Sequence, residues 1–130
     1  MLTIARLAFS ADESILYVAD SASSFGPDRP HHIRQYKVGA GNKLSGGKVF
    51  AEINPGLPDG FRVDTAGNIW TSAGDGVQVY NSSAALLGKI LLPKAVANVT
   101  FGGPKRNWLF ICATDSVHMI HTKANGAQQP

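Results

Sequence analysis

Gly56-Leu57-Pro58-Asp59-Gly60 runs straight into Phe61-Arg62-Val63-Asp64, and after Thr65-Ala66-Gly67-Asn68 the chain continues as Ile69-Trp70-Thr71-Ser72-Ala73. Two short runs rich in β-branched and aromatic residues, parted by turn residues, read as a β-hairpin. Gly74-Asp75-Gly76 turns the chain again into Val77-Gln78-Val79-Tyr80, and Leu86 to Leu92 completes a unit of four strands. At the head of the unit, Pro58 fixes its own φ and Gly60 admits backbone conformations closed to other residues. The turn is therefore expected to hold the Asp59 carboxylate at the start of a strand. A carboxylate fixed there can hold a metal or a proton, although Pro-Asp-Gly is also simply a favoured turn sequence.

The same order of elements appears on both sides of this unit. Upstream, Leu7-Ala8-Phe9-Ser10, the polar turn Ala11-Asp12-Glu13-Ser14 and Ile15-Leu16-Tyr17-Val18-Ala19-Asp20 form a hairpin. Ile33 to Val38, a Gly-rich turn over residues 39–47 and Lys48 to Ile53 follow. Downstream, Asn98-Val99-Thr100-Phe101, the turn over residues 102–107, Trp108 to Ala113 and Ser116 to His121 begin a third copy. Tyr17, Trp70 and Phe110 fall at matching places. The spacing of about 40 residues is that of a β-propeller blade, and the first interval is longer by the insertion over residues 21–32. No helical period is sustained, so the chain reads as all-β, with about three four-stranded propeller blades over residues 5–54, 55–95 and 96–123 and a polar tail over 124–130. In a propeller the first strand of each blade lines the central channel, and ligands bind at one end of it. The Leu7, Phe61 and Val99 strands are then innermost, with Asp59 beside the channel mouth and Asn98 near it.

Composition bounds what such a fold does. The 130 residues are 44% hydrophobic and 16% charged, which fits one globular domain. No run reaches the ~18–20 apolar residues of a membrane span, and the start lacks the pattern of a secretory signal, so no membrane partner and a cytoplasmic setting are expected. The single cysteine, Cys112, excludes an internal disulfide; it alternates with Phe110 and is expected in the same packed layer. The net charge of +3 comes from scattered lysines and arginines, which argues against nucleic acid.

Several landmarks carry a specific resemblance. Leu7-Ala8-Phe9-Ser10-x-Asp12-x-x-x-Leu16-Tyr17-x-x-Asp20-Ser21 resembles a segment of the gluconolactonase/regucalcin (senescence marker protein) family of propellers. Val49-Phe50-Ala51, Gly56-x-Pro58-Asp59-Gly60, Asp64-x-x-Gly67-Asn68-x-Trp70, Gly74-Asp75-Gly76-Val77-x-Val79-Tyr80, Gly88-x-Ile90 and Asn98-x-x-Phe101-Gly102-Gly103 follow in order. The resemblance implies half of a six-bladed propeller, acting on a sugar lactone or related ester with one divalent cation, Ca²⁺, Zn²⁺, Mn²⁺ or Mg²⁺. It implies that the cation is held by a first-blade Glu, an Asn and the Asp of the Pro-Asp-Gly turn, which also serves in acid–base steps. Asp59 matches that last position as catalytic residue and metal ligand.

The departures are as informative. The family's Asn-Gly pair falls on Ala5-Arg6, and the Glu has no counterpart, so any cation is expected to be weakly held. Asn98 and Asp20 are further candidates for the substrate channel. His118 and His121, three apart in a strand, are expected on opposite faces. His31-His32 is expected to be solvated or part of a lid formed by the 21–32 insertion. Two readings stay open: a lactone hydrolase of impaired activity, or a non-catalytic β module for self-association or partner binding. Three blades make an open arc with bare apolar ends, so a homodimer closing a ring is expected.

Overall fold

The computed structural model describes residues 2–128. Among them, β1 (Ile4–Phe9), β2 (Ile15–Asp20), β3 (His32–Val38) and β4 (Leu44–Glu52) form one antiparallel sheet in chain order. A second is built in the same way from β5 (Phe61–Val63), β6 (Ile69–Ala73), β7 (Gly76–Tyr80) and β8 (Leu86–Leu91). The third has three strands, β9 (Val96–Gly102), β10 (Trp108–Ala113) and β11 (Ser116–His121). The chain is thus a partial β-propeller whose third blade has three strands among the described residues. β4 starts at Leu44, inside the stretch read from sequence as a Gly-rich turn; only Ala40–Asn42 turns, as a short 3₁₀ segment.

Alternation within each strand builds the contacts between blades. Phe61 and Val63 point toward the first blade and pack with Ala8, Tyr17, Ile33, Phe50 and Ile53. On the other face of the second blade, Val77 joins Val96, Val99, Phe101, Leu109 and Ile111, with Trp70 edge-on to Phe101. Tyr17 and Trp70 each reach toward the following blade. Phe110 occupies the same place in the third blade, on a face that no other described strand covers, and is only half-buried. Cys112 shares that open face and is exposed rather than packed, for the same reason.

Antiparallel order gathers the connections at two ends. Residues 21–31, 53–60, 74–75, 92–95 and 114–115 meet at one end, and the hairpin turns 10–14, 64–68 and 103–107 lie at the other. At that second end Asp64, buried, accepts hydrogen bonds from the amides of Ala66 and Asn68 and from the Asn68 and Trp70 side chains. The segment read from sequence as a polar tail packs on the second blade as far as it is described. Gly126 bridges to Asp64, and the Ala127 amide donates to the Val63 carbonyl at 2.9 Å. Residues 129–130 lie outside the described residues.

Gly60 is glycine for space, not for conformation. The left-handed φ in this turn belongs to Gly56, at 84°. A Cβ on Gly60 would stand 1.9 Å from Asn98 Oδ1 and 2.6 Å from Asn98 Cα. Since the second contact is backbone, Gly60→Ala is expected to lower stability by about 1–3 kcal/mol in urea melts. Gly88→Ala meets nothing within 4 Å and serves as control. Equal midpoints for the two variants would contradict this packing.

Candidate functional site

The turn before β5 is tied to all three blades. From the first, the Ser21 hydroxyl donates to the Pro58 carbonyl. From the second, Ser72 Oγ accepts the Asp59 amide at 2.8 Å, and the Ser72 amide donates to the Gly60 carbonyl at 3.0 Å. From the third, the Ala97 carbonyl accepts the Gly60 amide at 2.8 Å. Ser72 is fully buried, so its hydroxyl is fixed by packing rather than drawn to water. With its backbone held on both sides, Asp59 keeps its carboxylate out of the ladder. Among the described residues no hydrogen bond or ion pair engages that carboxylate.

Asp59 lines a cleft of about 340 Å³ between the second and third blades, with Gly56, Leu57, Gly74, Ala95 and Thr114. Its walls are small and apolar, which leaves the carboxylate as the chemically distinctive group. Thr114, at φ 53°, holds a left-handed conformation rare for a β-branched residue, and its hydroxyl donates to the Ala95 carbonyl at 3.0 Å.

Of the other sequence candidates, Asn98 is brought against this turn through its contact with Gly60, two residues inside β9 rather than at its start. Its Oδ1 accepts the amide of Val99 at 2.9 Å. Asp20 is fully buried at the end of β2, where Oδ1 accepts the amides of Thr3 and Ala22. The structure therefore sets Asn98 against Gly60 of the Asp59 turn, outside the cleft that Asp59 lines, and turns the Asp20 carboxylate into its own blade.

The donors around Asp59 do not fit a divalent cation. Ala5 supplies no oxygen, and among the described residues no three His, Cys, Asp or Glu side chains converge. His118 and His121 lie on opposite faces of β11: His118 pairs with Ile111, His121 with Trp108, on whose ring it stacks. A single carboxylate among water ligands is a poor hard-cation site.

Sequence reasoning missed a buried pair beside the site. His31 and His32 are not free loop residues: His31 Nδ1 meets the Ile53 carbonyl at 2.8 Å. His32 pairs in register with Asp20, and its Nε2 stands 3.7 Å from Asp20 Oδ2, both atoms buried without a hydrogen-bond partner. The signal was present in the strand register, since the last residue of β2 and the first of β3 face each other across any hairpin. Burial lowers the His32 pKa, against the pull of Asp20 and Glu52. The unfolded chain then binds a proton where the folded one does not, so stability holds above the ordinary 6.5 and falls as pH drops through it. Urea midpoints between about pH 7.5 and pH 5 are expected to fall less in His32→Gln than in the parent. An identical acid-side loss in both would contradict this assignment.

With the geometry described, comparisons place the chain among known proteins. Residues 4–115 match the family model for the SMP-30/gluconolactonase/LRE-like region. The chain is similar to the gluconolactonase of Zymomonas mobilis, 30% identical over 92% of this chain and 35% of that protein. It is also similar to the pentonolactonase XacC of Haloferax volcanii, 42% identical over 44% of this chain and 21% of that one. A solved gluconolactonase from Xanthomonas campestris superposes with a TM-score of 0.82 at 36% identity, covering 93% of this chain and 38% of that structure. The chain thus spans well under half the length of these relatives. With its blade order, its Pro58-Asp59-Gly60 turn and its matched length all in agreement, the chain belongs to the SMP-30/gluconolactonase/LRE-like family.

Proposed function

We propose that this chain is a sugar-lactone hydrolase module in which Asp59 is the catalytic carboxylate and whose site is completed by a second copy. The observation that carries the reading is the Asp59 carboxylate itself, held by its backbone to three blades and left unengaged at a cleft. Family membership and similarity to a gluconolactonase and a pentonolactonase supply the reaction class. In lactone hydrolysis, water adds to the acyl carbon and the ring C–O bond breaks. The ring oxygen leaves as a hydroxyl and the acyl group becomes a carboxylic acid, which ionises. Asp59 takes the proton of the attacking water and returns it to the leaving oxygen. No step is assigned to a cation, because one carboxylate without companion donors does not hold it.

Support for a second copy comes from apolar faces left bare on the first and third blades. Leu7 (56% exposed) and Phe9 lie bare on the first blade, as do Val117 (71% exposed) and Met119 on the third. Adjacent blades cover such faces inside the arc, and paired arcs of three blades would cover them between copies. A closed pair would bring two Asp59 carboxylates to one channel. The absence of an asparagine at Ala5 favours a second reading, a non-catalytic module that keeps the blades as a scaffold.

Light scattering and a pH-indicator assay with gluconolactone, run side by side over a protein dilution series, test both parts. The mass is expected to approach twice 13.8 kDa at micromolar concentration. Specific activity is expected to rise with it, to stay well below ~10 s⁻¹, and to vanish in Asp59→Asn. A paired species without turnover selects the scaffold reading; a monomer with concentration-independent turnover overturns the pairing.

A further inference from the structure

Two arginines stand on neighbouring channel strands, and among the described residues neither has a carboxylate partner. Arg6 lies on β1 and Arg62 on β5, the innermost strands of the first two blades, which run beside each other. Each guanidinium turns back along its own strand: Arg6 Nη1 donates to the Ala5 carbonyl and Arg62 Nη1 to the Phe61 carbonyl, both at 2.8 Å. Those bonds leave most of each planar fork unused. The ion pairs among the described residues employ His32, Lys89 and Lys94, so neither arginine meets a carboxylate. Arg62 is also half-buried, a position in which an unpaired charge is costly. Burial, and then the charge of Arg6, push the Arg62 pKa down, so the two cations feel each other. Arginine does not escape such a cost by losing its proton in the working pH range. An anion between the forks removes it for both.

The geometry points to an anion-binding pair: we propose that Arg6 and Arg62 together hold the oxyanion of a sugar acid or sugar phosphate in the channel wall below Asp59. Guanidinium forks match the paired oxygens of carboxylate and phosphate, and two forks carried on the neighbouring strands β1 and β5 are available to one group in the channel between them. Arg62 follows Asp59 by three residues, so the oxyanion would sit roughly 10 Å along the wall from the catalytic carboxylate. That is the span of a small sugar chain. The identity of the ligand as a sugar derivative rests on the lactone reading; the existence of the anion site does not. It also gives the channel a preference opposite in sign to a cation site, in keeping with the poor donor set around Asp59.

Calorimetric titration of the full chain with sodium gluconate, and separately with sodium phosphate, at fixed ionic strength, tests the pair. Saturable binding of at least one is expected, weakened about tenfold or more by Arg6→Gln and by Arg62→Gln. Lys105→Gln, which removes a charge on the turn at the opposite end of the blades, is expected to leave it unchanged. Gluconate alone identifies a carboxylate site, phosphate alone a phosphate-ester site, and both a general oxyanion site. Absence of saturable binding, or an equal loss in Lys105→Gln, overturns the proposal. Should Arg62→Gln fail to fold, the exposed Arg6→Gln variant decides alone. Anion binding without lactone turnover keeps the pair and removes the hydrolase reading, while turnover without anion binding does the reverse.

Discussion

The structure depends on one short turn held by three blades at once. A propeller arc has no continuous sheet across its blades, so its blades are joined by side-chain packing and by the few polar links that cross between them. Here three of those links converge on Pro58, Asp59 and Gly60, whose backbone groups take partners from Ser21, Ser72 and Ala97. A buried amide or carbonyl left without a partner would cost about 1–3 kcal/mol, so each link is worth keeping even though its net contribution is smaller. Gly60 permits the arrangement, because only a residue without a side chain lets β9 approach so closely. The same constraint that joins the blades therefore fixes Asp59.

Polar groups elsewhere follow the same economy. Gln78 is fully buried, yet its amide donates to the Asn54 carbonyl and to Asp75, and its oxygen accepts the Tyr80 hydroxyl. The linker leading to the turn is thereby pinned to β7. Asp12, at the far end, accepts hydrogen bonds from Ser10 and Ser14, which hold its pKa down at about 2. The Asp20–His32 pair is an exception, two buried atoms facing each other without a bond. It lies at the root of the 21–31 connection, whose Ser21 grips the site turn.

Much of this was legible in the chain. Alternating β-formers parted by Gly, Asp and Asn gave every strand its place, because a strand's two faces must differ when both pack against neighbours of different kind. Where the faces are alike, or open, the reading slipped. Cys112 alternates with Phe110 as expected, but among the described residues nothing packs on their shared face to bury it. Gly46 and Gly47 read as turn residues, yet both lie in β4: Gly46 faces open space, and Gly47 leaves room for the Tyr36 ring, from which a Cβ would stand 2.4 Å. The residues that hold the site were the hardest to see. Ser21 and Ser72 carry no sequence signal of their own, since a serine's role depends on which distant backbone group it meets. Asp59 was visible because a turn is a local feature, and Asn98 was found although it lies inside β9 rather than at its start, whereas the Arg6–Arg62 neighbourhood exists only once two blades are placed side by side.

The central claim, that the Asp59 turn is a rigid junction of three blades rather than a surface loop, is tested most directly by native-state hydrogen exchange. If the claim holds, the Asp59 and Gly60 amides exchange as slowly as those at the centre of β6, because freeing them requires the blades to part. Exchange at the rate of the exposed 103–107 turn would contradict it.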